Sequence, residues 1–63
     1  MTFWVVAKED VRILREDYTF TNFIAGKWYR AMYRYSSVIL IDEDRKGFMC
    51  DMDTFFEHFG FTD

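Results

Sequence analysis

Trp28-Tyr29-Arg30-Ala31-Met32-Tyr33-Arg34-Tyr35 (WYRAMYRY) is the stretch on which the fold turns. Its side chains change character with a period of two, the periodicity of a β-strand whose neighbouring residues point to opposite faces. Tyr29, Ala31, Tyr33 and Tyr35 line one side, and Trp28, Arg30, Met32 and Arg34 line the other. Ser36 and Ser37 then read as a turn. Val38 to Ile41 (VILI) is a continuous apolar run, as expected of a strand covered on both faces. Asp42-Glu43-Asp44-Arg45-Lys46-Gly47 reads as a polar hairpin loop, with Gly47 near its end where a positive φ is often needed. Phe48-Met49-Cys50 continues as the next strand. Strands over 28–35, 38–42 and 46–50 make an antiparallel meander.

Working outward, Phe3 to Ala7 (FWVVA) is a short apolar run of β-formers and reads as a further strand. After the polar break Lys8-Glu9-Asp10, Val11 and Ile13 alternate with Arg12. We read this segment as a half-buried strand, with a helix over Glu9–Tyr18 as the competing reading, because Val11, Leu14 and Tyr18 also follow helical spacing. Glu16 to Lys27 is expected to be a loop: Asp17, Thr19, Thr21 and Asn22 favour turns, while Phe20, Phe23 and Ile24 pin the segment to the core. Gly26 supplies a turn before the main strand. Beyond Cys50 the sequence predicts a short helical turn capped by Asp51 or Asp53, with Phe55 and Phe59 on one face, Phe56 beside them, and Gly60 as its left-handed end.

Composition makes such a small fold feasible. The chain has 63 residues, read as one domain over 1–63, and 22% of them are aromatic. A domain of about 60 residues buries only about 60% of its unfolded surface. Rings burying roughly 150–250 Å² each compensate for that shortage. The net charge is −3, which lowers the expectation of a phosphate-binding stripe and suits a basic partner or simple solubility. One cysteine, Cys50, cannot form an internal disulfide, so a reducing compartment is expected. MTFWVVAKED lacks the basic start and the apolar length of a signal peptide, and no run reaches a membrane span. The expected location is the cytoplasm.

Few residues suggest chemistry. Asp42, Asp44, Gly47 and Asp53 fit positions 1, 3, 6 and 12 of a calcium loop, but Lys46 puts a cation where an oxygen ligand belongs and Asp53 is shorter than the usual Glu. We therefore read the loop as a solvated hairpin tip. His58 and Cys50 are the sole His and Cys, too few for a zinc site, and a Cys–His nucleophilic pair would need them adjacent. Gly26-Lys27-Trp28 lacks the earlier Gly and the following Ser or Thr of a phosphate loop. The expectation is a non-enzyme without metal or cofactor.

Two surfaces are candidates for binding. Trp28, Arg30, Met32 and Arg34 combine residue types favoured at protein interfaces. The same mixture could stack bases and meet phosphates. Alternatively, Trp28 and Met32 pack under the 11–24 segment with arginine stems laid over them. The second surface is acidic: Asp42, Glu43 and Asp44, with Asp51, Asp53 and Glu57 expected near the same end. It reads as a solvated rim, or as a patch imitating nucleic-acid phosphates.

The order strand, Phe-bearing loop, Phe23-Ile24-Ala25-Gly26-Lys27-Trp28-Tyr29, Asp42-Glu43 hairpin and closing Phe55-Phe56-Glu57-His58-Phe59 resembles a group of small proteins of phages and Firmicute prophages. Their pattern is Phe-x-x-Gly-Lys-x-Tyr … Asp-Asp/Glu … Phe, and the likeness covers roughly Val11 to Phe59. The resemblance implies a compact Src-homology-like barrel, in which Gly26 permits a tight turn and Tyr29 points inward with its hydroxyl needing a partner. Phe3–Ala7 departs from the pattern and reads as an extra strand, able to pair with a barrel edge or with a second copy in a homodimer.

The combined expectation is a mainly β fold: a small open antiparallel barrel of four or five strands with a short C-terminal helical turn. The expected function is a phage-type interaction protein that binds and inhibits a host protein, a defence nuclease or another nucleic-acid enzyme among the candidates. Its contact residues would be Trp28, Arg30, Met32 and Arg34 with Asp42, Glu43 and Asp44. The alternative is a small nucleic-acid-binding barrel that uses the same aromatic and arginine face.

Overall fold

The alternation of residues 28 to 50 does build a meander. In the computed structural model, which describes residues 1–61, β4 (Trp28–Arg34), β5 (Ser37–Ile41) and β6 (Gly47–Asp51) pair antiparallel in sequence. The last two positions of the expected 1–63 domain lie outside the described residues. Tyr29 and Ala31 of β4, Val38 and Leu40 of β5 and Cys50 of β6 face the core, and every one is buried.

The fold is mainly β, with more strands than expected. Upstream of the meander lie β1 (Thr2–Ala7), β2 (Val11–Leu14) and β3 (Phe20–Phe23); after β6 come the short helix α1 (Met52–His58) and β7 (Phe59–Phe61). Five strands form one antiparallel sheet in the order β6-β5-β4-β1-β7, and β2 with β3 forms a separate two-stranded ribbon. β6 and β7 are the ends of the sheet. No helix among the described residues is long and apolar enough to cross a membrane.

Four expectations are corrected. First, β1 pairs with the β4 edge of the meander, one of the two placements expected of the extra strand, but its other side is not the unpaired edge expected for a homodimer. It lies between β4 and β7, with Val5 opposite both Tyr29 and Phe61, so the described residues of β7 cover its edge along Val5–Ala7. Second, the expected loop over 16–27 contains β3. Thr21 and Phe23 are buried, and β3 pairs with β2 from Val11↔Phe23 to Leu14↔Phe20. Third, Gly60 does not end the helix. The C-cap is Phe59 in an extended conformation, and Gly60 pairs with Val6 in β7. The helix end is held instead by β1–β2 loop residues: the Lys8 N–H donates to the His58 carbonyl at 2.8 Å and Lys8 Nζ to the Phe56 carbonyl at 3.0 Å. Asp51 occupies the N-cap without a side-chain cap bond. Fourth, the turns shift. Tyr35 and Ser36 connect β4 to β5, with Tyr35 at φ 56°, and Arg45 rather than Gly47 takes the positive φ, at 63°.

Phe23 ties the ribbon to the sheet. Its ring meets Tyr29 edge-on at 4.9 Å and Phe59 at 5.0 Å, and it lies 6.3 Å from Phe48. Such edge-to-face pairs add about 0.5–1.5 kcal/mol beyond their burial. Arg15 fastens the ribbon's other end: Nη1 donates to the buried Thr21 Oγ1 at 2.6 Å and Nη2 to the Gly47 carbonyl at 3.2 Å. Phe55 stacks on Phe59 at 5.8 Å and seats the helix on the same core.

Candidate functional site: an aromatic and arginine groove

Because β4 puts Tyr29 and Ala31 inward, it must put Trp28, Arg30, Met32 and Arg34 outward. The structure places them there. Trp28 is 60% exposed, Arg30 and Arg34 are exposed, and Met32 is half-buried. The reading in which Trp28 and Met32 pack beneath 11–24 is therefore corrected: Phe23 brings that segment onto the inner face of the sheet, against Tyr29.

Register supplies the neighbours. Residues opposite one another in an antiparallel pair share a face. Val6 stands beside Trp28, Trp4 beside Arg30, and Thr2 beside Met32. On the other side Ile39 meets Met32, and Met49 meets Ile39. Trp4 is 46% exposed, and the Arg30 guanidinium carbon lies 5.0 Å from its ring centre, a cation–π distance. Trp4, Trp28, Arg30, Ile41, Arg45 and the start of the acidic hairpin line an open groove of about 570 Å³. Arg34 lies beyond this groove, 6.0 Å from the Tyr35 ring, and Met32 sits in the apolar row beside it.

Sequence reasoning missed Trp4, Ile41 and Arg45. The FWVVA alternation already puts Trp4 on the face opposite Val5, but only the β1–β4 register says that this face continues the Trp28–Arg34 row.

The acidic hairpin has another role. Asp42 is only 4% exposed, so its carboxylate is turned away from any partner. Asp42 Oδ1 accepts from the Asp44 and Lys46 N–H groups, both at 2.9 Å, and the Asp42 carbonyl accepts from Arg45 N–H at 3.0 Å. These bonds fold the loop tightly enough to need the left-handed Arg45. Asp42 Oδ2 is buried without a hydrogen-bond partner. Asp44 is exposed. Among the described residues, no three His, Cys, Asp or Glu side chains are grouped to hold a metal ion.

Glu43 is equally engaged. Its carboxylate receives Lys27 Nζ at 3.0 Å and the Tyr29 hydroxyl, and that hydroxyl accepts the Ile24 N–H at 2.7 Å. Glu43 N–H donates to the Asn22 carbonyl at 3.1 Å. Gly26, at φ 81°, makes the turn that permits this, with Lys27 N–H closing on the Ile24 carbonyl at 3.1 Å. Burial, reinforced by Glu43, pushes the Tyr29 phenol up to about 12. The Tyr29 hydroxyl, and then Lys27, hold the Glu43 carboxyl below its ordinary value. Gly26, Lys27, Tyr29 and Glu43 thus join the base of the ribbon, the start of β4 and the β5–β6 hairpin.

The six carboxylates do not gather at one end. Asp42, Glu43 and Asp44 precede β6, whereas Asp51 ends it and Asp53 and Glu57 follow it. The strand separates the groups by about 13 Å at ~3.3 Å per residue. Cys50 is buried in β6, where burial and then Asp51 push its thiol up. His58 Nδ1 lies 2.9 Å from Glu9 Oε1.

Comparison with protein-family models, with curated proteins and with solved structures gives no match.

Proposed function

We propose that this chain is a non-enzymatic interaction protein that docks a partner protein on the outer face of its five-stranded sheet and thereby inhibits it. The observation that carries this reading is the open groove where Trp4, Trp28, Arg30 and Arg45 meet. Trp and Arg are the residue types that most often dominate binding energy at protein interfaces. Met32, Ile39 and Met49 extend the same face as an apolar row. The antiparallel order, with β1 between β4 and the terminal β7, suits a sheet curling on itself and supports a small Src-homology-like barrel. The resemblance to phage-type proteins makes the partner a host protein met in the bacterial cytoplasm, a defence nuclease or another nucleic-acid enzyme in that reading.

The test is capture from a bacterial lysate by the immobilised chain and by Trp28→Ala. The expected result is a host protein retained by the first and lost with the second, while both melt at the same temperature. Retention indifferent to Trp28→Ala, or no selective retention, overturns the reading.

A second reading is single-stranded nucleic acid, favoured by the two tryptophans interleaved with Arg30 and Arg45 in one groove. It predicts a mobility shift that weakens steeply with salt. No shift at low salt removes it.

A further inference from the structure

We infer that the partner presents an acidic segment bearing apolar side chains, held with its carboxylates against Arg30, Arg34 and Arg45 and its apolar groups against Trp28 and Met32; this rests on the interaction reading of the outer face. The argument is one of charge. The chain carries −3 overall, yet its free charge is unevenly placed. Lys27 is paired with Glu43, while Arg30, Arg34 and Arg45 form no ion pair among the described residues. The two carboxylates that line the groove are not ion-paired to these arginines among the described residues. Asp42 is buried within its turn, and Glu43 is held by Lys27 and Tyr29. Asp51, across β5 from Arg34 beside Ser37, and the exposed Asp44 lie at the margins.

Geometry sharpens the chemistry. A guanidinium laid over a ring, as Arg30 is over Trp4, keeps its in-plane N–H fork free for a carboxylate. Single-stranded nucleic acid would ask for a continuous cationic track. Here the arginines alternate with Met32 and stand beside the Ile39–Met49 row, which is the composition of a protein interface.

The test uses the full chain and a surface-displayed library of random dodecapeptides. The chain's two tryptophans both line the groove, so their emission reports on it directly. Enrichment of Asp/Glu-rich peptides with large apolar residues is expected. Their synthetic forms should shift tryptophan emission and weaken about tenfold for each of Arg30→Glu and Arg34→Glu. Both substitutions are at exposed positions, and thermal melts confirm folding. Enrichment of basic or uncharged peptides that depends on Trp28 would overturn the acidic partner and leave the docking face standing. No enrichment, or binding indifferent to Trp28→Ser, would overturn both. Oligothymidine quenching the emission at lower concentration than any selected peptide would overturn the inference in favour of nucleic acid.

Discussion

The two faces of β4 come from the same seven residues and differ in one respect. Inside, Tyr29 is 4% exposed and its polar end is satisfied twice, by the Ile24 N–H and the Glu43 carboxylate. Outside, Trp28 remains 60% exposed. A buried aromatic with a polar tip must find a partner for that tip. The inner face therefore became a bonded junction of three chain segments, while the outer face stayed an open surface. We assign stability to the first and propose binding for the second, and substitutions can test that division.

Phe23→Ala should have the largest effect. It removes the ring that joins the ribbon to Tyr29 and Phe59, with an expected loss of about 3–5 kcal/mol. A chain of this length has roughly 3–9 kcal/mol in all, so urea titration should find it largely unfolded or barely folded. A loss below about 1 kcal/mol would mean that the ribbon is an independent appendage.

Tyr29→Phe keeps the ring and deletes the hydroxyl, leaving the Ile24 N–H without its partner and the Glu43 carboxylate with Lys27 alone. About 1–3 kcal/mol should be lost by the same titration. The alkaline limb should change as well. The Tyr29 phenol is raised in the folded state, so its contribution is complete below the unfolded value near 10 and disappears as pH rises toward about 12. The variant should lose that dependence; an identical alkaline profile would contradict the buried bond.

Glu43 governs the opposite limb. Its carboxyl is depressed in the folded state, so its contribution is present above the ordinary carboxylate range and is lost as pH falls through the lowered value. Glu43→Gln should flatten the acid loss of urea midpoint below about pH 4.3. The flattening should be partial, because Asp17 is also held down, by its bonds from Thr19.

Trp28→Ala closes the series with the smallest change in stability, within about 0.5 kcal/mol, as for exposed sites generally. A loss comparable to that of Tyr29→Phe would show that the two faces are not divided as proposed.

Legibility followed the range of the interactions. The β4–β6 meander could be read because a period of two is written in adjacent residues, and the turn at Gly26 because a positive φ favours glycine there. β3 was obscured by its own composition: Thr21 and Asn22 favour turns in isolation, and only pairing with β2 and the Arg15 bond to Thr21 make them strand residues. β7 was hidden for a similar reason, since three residues carry no periodicity and Gly60 imitates a helix end. Gly47 misled because the bonds within the Asp42 loop demand the left-handed residue two positions earlier, at Arg45.

By itself the sequence determined a small antiparallel β fold and one shared face for Trp28, Arg30, Met32 and Arg34, but not that this face is outward, because alternation, turn formers and aromatic density act between near neighbours. Only the tertiary structure decided that β1 lies inside the sheet, that Trp4 joins Trp28, and that Asp42 and Glu43 serve the fold. Those outcomes depend on strand register and on which distant polar groups must be satisfied when they are buried, and neither quantity is local.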